Sequence, residues 1–259
     1  MPTLYHSGLS TCSKQVRMCL KEKGVAYDNR YIELWNYENL HPEYLKLNPH
    51  GVVPTLVHDG APIINALAIN EYIDDAFPGP TLKPSDPKGR ARMRYWTWTA
   101  DDIHIAVQVA TYTAFLSARI GDLTEDEIDT LIETVPVPDR RERWRKFAKG
   151  GFSQEDRNAA YAKMAWGVTR IEQALSETRM LAGDEFSLAD ISILAIVQRI
   201  SEIEPDLLDP TRVPHVLEWR EHVTARPSAL ASYAQQSDEF PARPKANSIS
   251  GLTGPWRYS

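Results

Sequence analysis

The chain has 259 residues, a formal net charge of −6 and 42% hydrophobic residues, enough to bury a sizeable core and to divide into two domains. With that charge and no long lysine or arginine run, a nucleic-acid footprint is not expected; the one basic block, Arg140 to Lys146, reads as a solvated helical face. Its two cysteines lie outside any CxxC spacing and are too few for a disulfide scaffold, and no apolar run reaches a signal peptide or the ~20 residues of a membrane span. The expectation is a reduced, soluble, cytoplasmic protein that binds neither nucleic acid nor membrane.

Taken in order, Thr3-Leu4-Tyr5 reads as a short strand, and Ser7 to Ser13 as a polar loop leading into a helix. That helix carries Val16, Cys19 and Leu20 on an apolar face with Lys14, Arg17 and Lys21 opposite, and Gly24 closes it. Val25 to Ile32 can form a second strand, parallel to the first because a helix joins them. A short helix follows near Pro42–Leu47, then a strand from Thr55 with the turn signal Asp59-Gly60 and a hairpin partner at Ala61–Ile64. Pro54 heads this strand, where it supplies no backbone donor, and a cis Val53–Pro54 bond is the expectation. Such a bond turns the N–H and C=O of Val53 outward, free to pair with a short extended peptide. Ile69, Tyr72, Ile73, Ala76 and Phe77 then recur at helical spacing, up to the break at Pro78-Gly-Pro80. The order βαβ, then ββα, is the thioredoxin-like arrangement.

The loop Ser10-Thr-Cys-Ser-Lys-Gln-Val-Arg17 resembles the serine-containing first loop of glutathione transferases, in its zeta-class form. Asn48-Pro49 through Val53-Pro54 is similar to the family's NPxxxVP segment, and Asn65-Ala-Leu-Ala-Ile-Asn-Glu-Tyr72 stands where its ESxAIxxYL segment does. The resemblance covers most of the chain. It implies glutathione as co-substrate, with Val53 pairing its backbone to the cysteinyl part and the helix opening at Asn65-Ala66 receiving the γ-glutamyl carboxylate. Asn65 and Ala66 depart from the usual acidic or Gln residue and hydroxyl residue, so one side-chain hydrogen bond is missing. Ser10 matches the catalytic serine, whose hydroxyl favours the thiolate of a thiol with an ordinary pKa near ~8.5. Its other reading is a helix cap. Ser13 is the runner-up for the thiolate partner, and Cys12 is a candidate for mixed-disulfide chemistry. Asn39 falls where related chains hold the glycine carboxylate. His41, His50 and His58 have no ligand spacing, so no metal is expected.

Prolines at 78, 80, 84 and 87 mark a linker. The expected division is a thioredoxin-like domain at 1–80, a linker at 81–87, an all-helical domain at 88–240 and a loose tail at 241–259. Asp86-Pro87 opens a long helix to about Arg119, with Trp96, Trp98, Ile103, Val107 and Tyr112 expected mostly in the core. Asp101, Asp102 and His104 could face a substrate pocket, although an Asp–His pair on a helical turn is more often solvated. Leu123–Glu133 reads as another helix, broken by Val135-Pro-Val-Pro138. The stretch from there through Gly151-Phe-Ser-Gln-Glu155 resembles an insertion of bacterial β-aryl etherases of the transferase family. In Phe186-Ser-Leu-Ala-Asp-Ile191, Ser187 and Asp190 form a capping box with a folding role. Trp219–Thr224 is the last helix expected.

Together these readings imply a glutathione transferase acting on a small hydrophobic electrophile, with aryl ether cleavage as the reaction favoured by the insertion. The family commonly forms homodimers. The alternatives are a non-catalytic binding module, which Ala66 favours, and a thiol oxidoreductase working through Cys12.

Overall fold

The computed structural model describes residues 1–116, 120 and 123–233; the tail expected from Pro241 lies outside them. Four strands, β1 (Thr3–His6), β2 (Asp28–Tyr31), β3 (Thr55–His58) and β4 (Ala61–Ile64), form one sheet in the order β2-β1-β3-β4. β1 runs parallel to β2 and antiparallel to β3, and β3 and β4 make the hairpin. At its tip Asp59 (φ 50°) and Gly60 (φ 78°) adopt the left-handed pair that a two-residue hairpin loop requires. β2 is shorter than the strand read from the sequence at Val25–Ile32. The Val25 N–H is spent on Leu20 O (2.9 Å), closing α1 (Thr11–Glu22) after Gly24 at φ 68°, so the chain reaches the ladder only at Asp28.

α2 (Pro42–Leu45) and α3 (Ala66–Ala76) complete this half. Leu4 and Leu56 of the sheet pack with Val16, Cys19 and Leu20 of α1 and with Ile69 and Ile73 of α3, all fully buried. Arg17 is the exception to the pattern read from the helix. Instead of facing water it is completely buried, because a C-terminal helix not foreseen in the sequence, α10 (Pro227–Tyr233), lies against α1. Its guanidinium donates to the Ser232 carbonyl (2.5 Å), the Ser7 carbonyl (3.4 Å) and His6 Nδ1 (3.2 Å).

The second half is helical: α4 (Pro87–Thr111) passing into a π-helical turn at Tyr112–Leu116, α5 (Glu125–Thr134), α6 (Pro138–Ala148), α7 (Gln154–Leu175), α8 (Leu188–Ile203) and α9 (Pro214–Thr224). Asp86 caps α4 by accepting from Gly89 N (2.9 Å), and Pro87 takes the first helical position. Thr124, Ser153 and Ser187 begin α5, α7 and α8 with capping boxes. The Asp190 carboxylate goes further, accepting from Leu181 N, Ser187 N, Ser187 Oγ and Trp219 Nε1 within 2.9–3.1 Å. Burial pushes its carboxyl pKa up while these donors oppose the rise.

α4 packs between α7 and α8, so close to α7 that a Cβ on Gly167 would stand 2.3 Å from Ile103 Cδ1. Trp96, Ile103 and Val107 lie in that core, but Trp98 is 60% exposed. Two residues advance a helix by about 200°, so Trp96 and Trp98 cannot share a face. Tyr112 belongs instead to a smaller aromatic cluster with Tyr37, Trp144, Phe147 and Phe152 that joins the two halves. Among the described residues no helix is long and apolar enough to cross a membrane, and no group of three or more His, Cys, Asp or Glu could hold a metal.

Candidate active site

The sheet register brings three separate segments to one end. β1 finishes at His6; its antiparallel neighbour β3 starts at Thr55, opposite Tyr5; and β4 finishes at Ile64, opposite Thr55. The loop Ser7–Ser10, the dipeptide Val53-Pro54 and the turn Asn65-Ala66 therefore all emerge at the same edge.

Ser10 is the N-cap of α1, its Oγ accepting from Ser13 N at 3.2 Å. Accepting uses a lone pair and leaves the hydroxyl proton free to donate. A sulfur placed there would also feel the positive end of α1, whose first turn carries no acidic residue to offset it. The cap and thiolate readings of Ser10 are thus compatible. Ser13 points the other way: fully buried, its Oγ accepts from Ser7 N (3.3 Å) and ties the loop to the helix. Cys12 faces the helical half, its Sγ 3.6 Å from Nδ1 of His104 on α4. Burial and the nearby Asp101 push the Cys12 thiol up to about 12. Burial, with Arg199 and Arg143 nearby, holds the His104 imidazole down at about 4. Both groups are neutral at pH 7, the opposite of an activated thiolate–imidazolium pair. The Asp–His pairing weighed in the sequence does not form, since Asp102 bonds Lys163 (2.5 Å).

The Val53–Pro54 bond is cis, and pairing of β3 with β1 begins only at Thr55, which leaves Val53 outside the ladder. Two side chains not singled out as functional in the sequence build this corner. Tyr44 donates to Val52 O (2.6 Å) and contacts Thr55 Oγ1 (2.9 Å). Asn48, fully buried, donates to Val52 O (2.8 Å) and Thr55 Oγ1 (3.1 Å) while accepting from His50 N (3.0 Å). The asparagine of the NPxxxVP segment was the available signal, and its use is positioning. Asn39 is buried and donates to Gly51 O (2.8 Å). It holds this loop from behind, with its Oδ1 buried and without a hydrogen-bond partner among the described residues.

Asn65 adopts φ 71°, ψ 122°, an uncommon conformation for a residue with a side chain and one that costs on the order of 1 kcal/mol or more. Its Oδ1 accepts from Leu67 N (2.9 Å) and Ala68 N (3.4 Å), taking two of the amides that a bound carboxylate would use. What this turn still offers an anion is the Ala66 N–H and the Asn65 amide nitrogen.

The opposite wall comes from the helical half. Arg199 of α8 donates to Leu9 O (2.7 Å) and Thr11 Oγ1 (3.4 Å), holding the first loop. Arg140 of α6 donates to His50 O (3.0 Å) and Gly51 O (2.8 Å), and Trp144 meets Tyr37 edge-on at 6.2 Å. The basic block is therefore only partly a solvated face: Arg145 and Lys146 stay half-exposed, while Arg140 clamps the loop that ends in Val53-Pro54.

Family profiles agree with this geometry. The glutathione S-transferase N-terminal domain matches residues 4–81 and the C-terminal domain residues 143–227. Protein LigF of Sphingobium sp. (strain NBRC 103272 / SYK-6) is 30% identical over 243 residues, spanning 91% of this chain and 94% of LigF. The chain belongs to the glutathione S-transferase family. The crystal structure of beta-etherase LigF from Sphingobium sp. strain SYK-6 is similar to this transferase with a TM-score of 0.85 and 29% identity, covering 91% of this chain and 99% of that one. A probable glutathione S-transferase of Solanum tuberosum is 28% identical over 242 residues, 90% of this chain and 87% of its own. The protein is an enzyme, a glutathione transferase with glutathione as co-substrate, built from a thioredoxin-like half and a helical half.

Proposed function

We propose that this transferase cleaves aryl ethers by thiolate displacement. Glutathione lies across the sheet edge, its cysteinyl backbone paired with Val53 and its γ-glutamyl carboxylate at the Ala66 N–H and Asn65 Nδ2. Asn39 acts from behind, through the loop it holds, and Ser13 acts through Ser7. Ser10 donates its hydroxyl proton to the thiolate sulfur. The sulfur attacks the carbon bearing the ether oxygen; the C–S bond forms, the C–O bond breaks, and the electron pair leaves on the aryl oxide, which takes a proton from water. The observation that carries this choice of electrophile is the likeness to beta-etherase LigF over nearly the whole of both chains.

A panel with glutathione and a halogenated aromatic, an aryl ether or a mixed disulfide tests the reading. Thioether and free phenol should form from the ether. Turnover of the disulfide alone would overturn it in favour of Cys12 chemistry, and turnover of none would favour a binding module.

The same reading makes the transferase a cytoplasmic homodimer. Tyr95, Trp98 and Ile105 on α4 and Tyr161 and Trp166 on α7, two helices packed together, are exposed large apolar side chains. They suit a face covered by a second copy, and sedimentation of the parent against Trp98→Lys tests it. A monomeric parent would refute the assignment.

A further inference from the structure

Among the described residues, the basic block on α6 contains one cation without a hydrogen-bond or ion-pair partner. Arg140 holds the His50 and Gly51 carbonyls, Arg141 the Val135 carbonyl, Arg145 the carboxylates of Glu133 and Glu142, and Lys146 that of Asp156. Arg143 has no such bond among the described residues, and its Nε is buried from water. A buried donor left unpaired is destabilising, and an acceptor on a bound ligand would satisfy it.

The surroundings say where that ligand sits. Arg143 precedes Trp144, which is buried against Tyr37 of the glutathione-binding half and Tyr112 of the π-helical turn after α4 (ring centroids 6.2 and 5.7 Å). α6 is thereby pinned over the site from both sides. On α4, His104 sits against Cys12, two residues beyond Ser10, and is near enough to Arg143 for the guanidinium charge to bear on its imidazole. Gln108, one turn further along the same face, has a buried Oε1 with no partner among the described residues. Near His104, α4 and α6 thus carry Gln108 and Arg143, each with a buried polar atom unpaired among the described residues, beside the aromatic cluster of Tyr37, Tyr112, Trp144, Phe147 and Phe152. A purely hydrocarbon electrophile would leave both atoms unpaired.

We propose that Arg143 is a further catalytic residue, donating to the ether oxygen of the bound aryl ether and stabilising the charge that builds there as the C–O bond breaks. The proposal rests on the ether-cleaving reading above. Arg143 stays protonated throughout; it neutralises the departing aryl oxide, which is released as the phenol after protonation by water. A guanidinium fits the task because it remains charged at any working pH and presents several donors to one oxygen.

The test compares kcat/KM of the parent, Arg143→Gln and Arg143→Lys on aryl ethers sharing one alkyl part, with leaving groups from nitrophenol to unsubstituted phenol. Chlorodinitrobenzene, which has no ether oxygen, is the control electrophile. Loss of a hydrogen bond to a charged oxygen predicts a drop of about 10- to 100-fold for the poorest leaving group. The drop should shrink as the phenol becomes more acidic, giving Arg143→Gln a steeper dependence on leaving-group pKa, and Arg143→Lys should recover part of it. The loss with chlorodinitrobenzene should stay well below that with the phenyl ether. Equal losses on every substrate would make Arg143 structural and overturn the proposal. Weakened glutathione binding in the titrated binary complex would also overturn it, assigning Arg143 to the peptide's carboxylate. A parent that turns over chlorodinitrobenzene but no ether overturns the ether reading itself, and this proposal with it.

Discussion

The His104 imidazole links the two halves and makes acid stability a sharp test of the packing around the site. Three elements face it: α1 with the Cys12 thiol, α6 with Arg143 and α8 with Arg199. Burial and the two guanidinium charges hold its pKa at about 4, against 6.5 when free. The unfolded chain therefore takes up the proton first. The stability associated with neutral His104 is fully present above pH 6.5, declines as the pH falls towards 4, and is exhausted below that. A gap of about 2.5 units at 1.36 kcal/mol each gives up to about 3 kcal/mol. Urea unfolding of the parent and of His104→Gln at neutral pH and near pH 4 measures this. Carboxylates contribute equally to both proteins, so the pH-dependent loss should be smaller in His104→Gln by about 2–3 kcal/mol. Arg143→Gln, which removes one of the opposing charges, should fall between them. Parallel losses in parent and His104→Gln would show that the imidazole is hydrated and that α4 does not close on α1 as described.

Two further perturbations follow from the same geometry. Ala66→Ser restores a hydroxyl at the first turn of α3, where Asn65 already occupies the amides of Leu67 and Ala68; calorimetric titration should show glutathione binding tighter by up to ~10-fold, and unchanged or weaker binding would mean that the carboxylate is held elsewhere. Asp190→Ala strands the donors of Leu181, Ser187 and Trp219 in the core; it should lower unfolding stability by about 3–5 kcal/mol, and a loss under about 1 kcal/mol would contradict the network described.

The features legible in the sequence are those set by neighbours along the chain. The Asp59-Gly60 hairpin, the Asp86-Pro87 helix start and the Ser187–Asp190 box depend on local dihedrals and caps, and each stands where its residues place it. Pro54 betrayed its corner because the interior of a paired ladder has no place for a residue without an N–H, whereas Pro62 is carried on the edge strand β4. What local pattern could not show are bonds between distant residues. Arg17 looks solvent-facing on its own helix, but its partner Ser232 lies 215 positions away on α10. Arg140 reads as one more surface cation until the Gly51 carbonyl, 89 positions earlier, is brought beneath it. His104 invited pairing with the adjacent aspartates, whereas its contact, Cys12, is 92 positions away. At Asn65-Ala66 the departure from the family pattern was visible in the letters; that Asn65 itself takes up the helix amides was not, since this depends on its positive φ.

The central claim is that the Ser10 hydroxyl donates to the glutathione thiolate, and the pH titration of thiolate absorbance in the binary complex tests it without reference to any electrophile. Each pKa unit corresponds to ~1.4 kcal/mol between protonation states, and a hydrogen bond to a charged partner supplies roughly one to two such units. Ser10→Ala should raise the pKa of the bound thiol by that amount and lower the rate at neutral pH by about 10- to 100-fold, leaving glutathione affinity largely intact. A residue that only caps α1 predicts something different: a stability loss of about 1 kcal/mol with the thiol titration unmoved. An unshifted titration in Ser10→Ala, alongside a clear shift in Ser13→Ala or Cys12→Ala, would contradict the account and move the thiolate partner to that residue.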